Sequence, residues 1–220
     1  MRVSLDIPFQ IKALINALDS SLIRATVPDA RITHVSTDTR NMSKGDLFIA
    51  IRGEKHDANN YVSEAIAKGC ITLGEEGSGA HITVNDSNQG LLDSVNFYKS
   101  LFKNLKASIA ITGSVGKSTT KSFLYKILSY GSPTHASFGN YNNLVGLAHT
   151  IFTMPENTEY LIAEMGMNHS GEISPMSKCL CPDLAIITCI GTAHIGHLGT
   201  REAIARMRWV RLYAKRWRRQ

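Results

Sequence analysis

Thr112-Gly113-Ser114-Val115-Gly116-Lys117-Ser118-Thr119 is the stretch on which the reading of this 220-residue chain turns. It follows a run from Ser108 to Thr112 that predicts a buried strand, and it opens a pattern that predicts a helix over 117–128. A chain that wraps a phosphate needs glycines, so that backbone N–H groups can approach and point inward, and a helix N-terminus adds favourable partial positive charge. Gly113, Ser114, Val115, Gly116, Lys117, Ser118 and Thr119 are therefore candidate nucleotide-binding residues. Lys117 would reach the β- and γ-phosphates of ATP, and the Ser118 hydroxyl would ligate Mg²⁺. The general pattern G-x-x-x-x-G-K-[ST] puts a glycine where Ile111 stands, so the form here is the tighter T-G-S-x-G-K-S. The alternative is a glycine-containing turn with an incidental lysine. Strand, turn and helix in the required order favour a nucleoside triphosphate site, and the turn leaves the reaction open.

Outward from this turn, apolar runs at 160–164 and 184–190 predict strands, separated by helical patterns over 143–152 and 171–178. Alternation of β and α with nearly continuous apolar strands predicts a parallel sheet with helices on both faces. Upstream, residues 1 to about 84 predict a helix over 8–18, extended runs over 32–38 and 47–51, a helix over 61–68 and strands near Ile71 and Ile82. Between the two units, Leu91, Val95, Tyr98, Phe102 and Leu105 recur at helical steps over 86–106, with Ser87 as the N-cap, and predict a bridging helix. The fold class is α/β: a small N-terminal α/β domain followed by a partial P-loop parallel-sheet domain.

With 43% hydrophobic and 19% charged residues the composition is that of an ordinary globular chain. The net charge of +6 would by itself point to an anionic polymer. Eight of the 24 basic residues and one of the 18 acidic ones fall in 201–220, together with both tryptophans, Trp209 and Trp217. The first 200 residues therefore stand near −1, which gives the body no basis for nucleic-acid binding. An Arg/Trp-rich tail could stack on bases or sit at a membrane surface, which leaves a binder driven by the tail alone as an alternative. No run reaches the roughly 18 apolar residues of a membrane span, and M-R-V-S-L-D-I-P lacks the apolar core of a secretory signal. Cys70, Cys179, Cys181 and Cys189 show no CxxC pairing, which fits free thiols in a cytoplasmic protein better than disulfides or a zinc site.

Several separated blocks carry a resemblance to one family. They are S-T-D-T-R at 36–40, K-G-D-L-F-I-A-I-R-G-E at 44–54, A-I-A-K-G at 65–69, T-G-S-V-G-K-S-T at 112–119, N-Y-N-N-L-V-G at 140–146, E-M-G-M-N-H-S-G-E-I at 164–173 and I-G-T-A-H at 190–194. In this order they resemble the Mur ligases of bacterial cell-wall synthesis, from about residue 32 to about residue 205. Within the family they resemble the branch that joins D-alanyl-D-alanine to UDP-N-acetylmuramoyl-tripeptide. The resemblance implies an ATP-dependent peptide ligase, which phosphorylates a substrate carboxylate and lets an incoming amine displace phosphate to form an amide. It leaves the tripeptide's third residue, lysine or diaminopimelate, open.

By the same resemblance, Glu164 at the end of an apolar strand is a Mg²⁺ ligand, His194 beyond the strand near Ile190 is a metal-site residue, and Lys117, Asn143 and His194 are the catalytic candidates. Asn142 and Asn143 help hold the reacting groups; simple helix capping by Asn142 is the alternative. Asn168 and His169 fit the block without a firm role. Residues 1–84 resemble the UDP-substrate-binding domain, with Asp38, Thr39 and Arg40 as substrate-binding candidates. Arg40 could fork onto a phosphate or carboxylate, or form a surface ion pair with Asp38 or Asp46. Residues 85–207 resemble an incomplete ATP-binding domain, and 208–220 lie outside the resemblance.

Family members are longer and continue into a third domain. They also carry a lysine, commonly carbamylated, in the stretch that corresponds to Ile204 to Arg208, where this chain has Arg206 and Arg208. A guanidinium stays protonated and cannot form the carbamate. The change in charge and tryptophan content where agreement ends leads us to expect a shortened, impaired ligase with a replaced terminus. A non-catalytic fragment that holds nucleotide or UDP-sugar is the alternative.

Overall fold

The structure, a computed structural model, describes residues 1–18, 21–53, 56–167, 169 and 171–191. His194, the arginines at 206 and 208 and the basic tail lie outside the described residues.

Val3, Leu5 and Phe9 are buried while Arg2, Ser4, Asp6 and Gln10 are exposed, the period-two pattern of a strand with one covered face. They form β1 (Arg2–Gln10), so the helix expected from Pro8 starts later, as α1 (Ile11–Ala17). Pro8 is tolerated because β1 is an edge strand whose pairing shifts register between Ser4 and Phe9, where no ladder N–H is required of it. The elements that follow are β2 (Leu22–Ala25), β3 (Arg31–Ser36), β4 (Leu47–Ile49), α2 (Val62–Ala67), β5 (Ile71–Glu75), β6 (Ile82–Val84) and α3 (Ser87–Ser100). The sheet runs β1-β3-β4-β5-β6-β2, parallel from β3 to β6 and antiparallel at both edges.

Leu91, Val95 and Tyr98 of α3 are fully buried, as its periodicity predicts. Its N-cap is Asp86 in place of Ser87: the Asp86 carboxylate accepts from the N–H groups of Asn88 at 2.8 Å and Gln89 at 3.1 Å. The helix ends at Ser100, short of the expected 106. It packs on α1, β4 and β5, so the chain divides into Met1–Leu101 and a second unit from Phe102 onward, after this helix and not in front of it.

The second unit comprises β7 (Ala107–Thr112), α4 (Lys117–Ser129), β8 (Thr134–Ala136), α5 (Leu144–Phe152), β9 (Tyr160–Glu164), α6 (Ile173–Leu180) and β10 (Leu184–Ile187). The four strands among the described residues are parallel, in the order β10-β7-β9-β8. Ile109, Ile111 and Ile162 pack against Leu124 and Leu128 of α4. Ala110, Leu161 and Ala163, on the opposite face, are also fully buried, so the apolar strands are covered on both sides.

The order of the strands decides where a ligand can sit. From β7 the chain passes through α4 to β8, and from β9 it passes through α6 to β10, on the other side of β7. The connections diverge at the carboxyl ends of the neighbouring strands β7 and β9, the crevice in which open α/β sheets hold ligands. Thr112 and Glu164 are the last residues of those two strands. Among the described residues, no helix is long and apolar enough to cross a membrane.

Candidate functional site

The turn after β7 has the backbone its glycines predict. Gly113 (φ +148°) and Gly116 (φ +83°) occupy positive-φ conformations, and Gly116 is the N-cap of α4. The segment after β10 braces the turn. Ser114 N–H donates to the Cys189 carbonyl at 3.0 Å, Gly191 N–H donates to Ser114 Oγ at 2.9 Å, and the Thr188 hydroxyl donates to the Val115 carbonyl at 2.5 Å. Lys117 Nζ donates to the Gly113 carbonyl at 2.9 Å, so its ammonium curls back over the turn. Val115, Ser118 and Thr119 are exposed at the surface of the turn.

Glu164 is 2% exposed at the end of β9. Its Oε2 accepts from Ser118 Oγ at 2.9 Å and lies 3.0 Å from Lys121 Nζ; its Oε1 accepts from Asn142 Nδ2 at 3.2 Å. Burial pushes this carboxyl up, and the hydrogen bonds from Lys121, Asn142 and Ser118 more than offset it, leaving its pKa below the ordinary glutamate value. Ser118 and Glu164 thus present hard oxygen donors side by side, the set that suits Mg²⁺. Among the described residues no cluster of three or more His, Cys, Asp or Glu is placed to hold a metal, and all four cysteines are free thiols.

Asn142 and Asn143 separate in role. Asn143 is the N-cap of α5, its Oδ1 accepting from Gly146 N–H at 2.8 Å. Capping therefore falls to Asn143 and not to Asn142, whose side chain is directed to Glu164 and whose carbonyl accepts from Gly166 N–H at 2.7 Å. His169 pairs with Glu172 at 3.5 Å, and Asn168 is outside the described residues.

Sequence reasoning missed Lys121, Ser137 and Thr188. Lys121 Nζ donates to the Gly139 carbonyl at 2.7 Å, and Ser137 Oγ accepts from Glu164 N–H at 3.1 Å. Lys121 lies one helical turn beyond Lys117 and so on the same face of α4, a signal that could have found it.

In the first unit, Asp38, Thr39, Arg40, Phe48, Tyr61 and Glu64 are among the residues lining a cavity of about 690 Å³. Arg40 forks onto Asp38 at 2.9 and 2.7 Å, the ion pair that was one of its two expected roles, while Asp46 is taken by Arg2 at 2.7 and 3.1 Å. The hydrogen bond from Arg40 holds the Asp38 carboxyl well below the usual carboxylate range. The Arg40 side chain is 84% exposed, open to an anionic ligand on its free edge.

A glycine turn between a parallel strand and a helix, faced by a buried acid from the neighbouring strand, defines a P-loop nucleotide-binding α/β protein. The chain belongs to the Mur ligase family: the model for "Mur ligase family, catalytic domain" matches residues 31–92, and that for "Mur ligase middle domain" matches 111–210. It is 35% identical over 202 residues to the UDP-N-acetylmuramoyl-tripeptide--D-alanyl-D-alanine ligase of Bacillus subtilis, covering 89% of this chain and 44% of that protein. To the Rickettsia prowazekii ligase of the same name it is 39% identical over 178 residues, 78% of this chain and 39% of the relative. A crystal structure of MurF from Acinetobacter baumannii superposes with a TM-score of 0.83 at 34% identity, over 94% of this chain and 46% of that one. The MurF ligase of Thermotoga maritima in complex with ADP superposes at 0.74 with 27% identity, over 82% and 43%. The chain spans less than half the length of these relatives.

Proposed function

We propose that this chain is the ATP- and UDP-precursor-holding part of a cytoplasmic amide ligase that joins D-alanyl-D-alanine to UDP-N-acetylmuramoyl-tripeptide. The observation that carries this reading is the convergence of Ser118, Asn142 and Glu164 on one point beside the phosphate turn, 2.9 and 3.2 Å from the carboxylate oxygens. Lys117 and the positive end of α4 hold the phosphates and offset their charge. Ser118 and Glu164 would hold Mg²⁺, which when bound neutralises charge between phosphate and carboxylate oxygens. Asn142 keeps Glu164 aimed, and Asn143 fixes the start of α5. His194 is proposed to add a further metal-site group by resemblance alone. In the first unit, Asp38, Thr39 and Arg40 would take the UDP-linked substrate in the 690 Å³ cavity, with Arg40 available to an anionic group.

Phosphate release measured with ATP, Mg²⁺, UDP-N-acetylmuramoyl-tripeptide and D-alanyl-D-alanine tests this reading. Release that needs both peptide substrates supports it. Saturable binding of ATP or UDP-precursor without release favours the second reading, a non-catalytic holder of those ligands, to which the arginines at 206 and 208 in place of the carbamylated lysine also point. Absence of all three overturns both.

A further inference from the structure

Lys121 is 8% exposed at its side chain, and its ammonium lies 3.0 Å from Glu164 Oε2 and 2.7 Å from the Gly139 carbonyl that it donates to. It therefore joins three segments that are distant in sequence: α4, the loop between β8 and α5, and the end of β9. Lysine is almost never buried without partners, because taking its charge out of water is costly unless the charge is paired. Here both partners are supplied, one of them the acid that the proposed Mg²⁺ reading depends on. The loop it grips carries Asn142, the other donor to Glu164. No rule of nucleotide binding requires a second lysine one turn beyond Lys117, and its ammonium does not face the turn: its partners are the acid and the loop.

We infer that Lys121 is a positioning residue for the cation side of the site, which holds the Glu164 carboxylate and, through Gly139, the Asn142 loop in the arrangement that receives a nucleotide-bound divalent cation. The inference rests on the nucleotide reading above. A carboxylate with one oxygen fixed by two donors and the other by a third has a single orientation before the cation arrives. Pre-set orientation is what raises affinity without adding a contact. The ammonium of Lys121 is committed to Glu164 and the Gly139 carbonyl, so it acts through the acid and the loop.

The consequence separates Lys121 from Lys117. Loss of Lys117 weakens ATP with or without Mg²⁺, because its charge faces the phosphates. Loss of Lys121 removes the part of the affinity that Mg²⁺ contributes and leaves the Mg²⁺-free part in place. The test is ATP titration of the full 220-residue chain, with Mg²⁺ and with EDTA, for the unaltered protein, Lys121→Met and Lys121→Gln, alongside hydrogen exchange of the 139–143 amides. The expected result is at least a tenfold fall in the ratio of Mg²⁺ to EDTA affinity for Lys121→Met, with faster exchange in the loop and EDTA affinity within about twofold. Lys121→Gln keeps a donor for Gly139 and is the variant to read if the methionine variant does not fold; a smaller fall of the same kind is expected. An unchanged ratio in a folded variant overturns the inference while leaving the nucleotide reading standing. Failure of the unaltered, folded protein to bind ATP in either buffer overturns the nucleotide reading and the inference with it, whatever the variants do.

Discussion

Gly113 faces Thr188 so closely that a Cβ placed on it would lie 1.9 Å from the Thr188 hydroxyl oxygen and 3.1 Å from the Cys189 amide nitrogen. The same glycine sits at φ +148°. Space and backbone therefore both forbid a side chain where the phosphate turn leaves β7. Gly113→Ala should lose ATP affinity by more than tenfold and lower the unfolding temperature of the second unit, as read by calorimetric titration and melting. Gly131→Ala is the control: nothing lies within 4 Å of the added methyl, and the stability change should stay within about 0.5 kcal/mol.

Asn143 and Asn142 are adjacent yet predicted to fail differently. Asn143→Ala removes the cap of α5 and should cost about 1 kcal/mol in denaturant unfolding, largely restored by Asn143→Asp, which keeps an acceptor for Gly146 N–H. Asn142→Ala should cost less stability and more Mg²⁺-dependent ATP affinity, because its side chain serves Glu164. Equal losses of both kinds at the two positions would contradict this division.

His135 in β8 gives the second unit a pH dependence of definite sign. Burial lowers its pKa from the ordinary 6.5, the hydrogen bond to the Thr150 carbonyl at 2.8 Å opposing but not cancelling the effect. The unfolded chain therefore binds a proton more readily than the folded one, and stability is complete above 6.5 and is lost as pH falls from 6.5 towards the folded value. Melting of the second unit should shift downward on acidification below 6.5. His135→Gln, which retains a donor for Thr150, should flatten that part of the profile.

Two ion pairs in the first unit separate buried from exposed electrostatics. Asp46, whose side chain is 3% exposed, accepts from Arg2 at 2.7 and 3.1 Å and from Ser43 N–H at 2.8 Å. Removing one member of a buried pair typically costs about 3–5 kcal/mol; with Arg2 30% exposed, Asp46→Ala should cost about 2–3 kcal/mol. Lys12 and Asp29, at 3.2 Å with side chains 65% and 69% exposed, should contribute below about 1 kcal/mol, so Asp29→Ala should barely move the denaturation midpoint.

The parts of the site that were legible in the sequence are those whose chemistry is local. A turn of seven residues carries its own signature, so Gly113 to Thr119 could be placed before any fold was known. Glu164 was readable because an acid that ends an apolar strand must find partners. The partners themselves are not local: Lys121 and Asn142 meet Glu164, and Lys121 meets the Gly139 carbonyl, only once β8 has been laid beside β9, and β8 is a three-residue edge strand without a sequence signal of its own. Pro8 disguised β1, although the alternation of Val3, Leu5 and Phe9 was there to be seen. Asp86 and Ser87 are both good cap formers, and only the backbone shows which of them precedes the helix. Arg40 was read either as a ligand for an anionic group or as a surface ion pair with Asp38 or Asp46; it pairs with Asp38, and Asp46 is held by Arg2 of β1, a partner far away in sequence.

The central claim, that the turn after β7 holds a nucleoside triphosphate, is tested most directly by calorimetric titration of ATP with Mg²⁺ into the 220-residue chain and into Lys117→Ala. Lys117 curls onto the Gly113 carbonyl at 2.9 Å, placed to move from that oxygen to a phosphate. Saturable binding to the unaltered chain, weakened at least tenfold in the variant, is the predicted result. A folded chain that does not bind ATP, or a Lys117→Ala variant that binds it as well as the unaltered protein, would contradict the account.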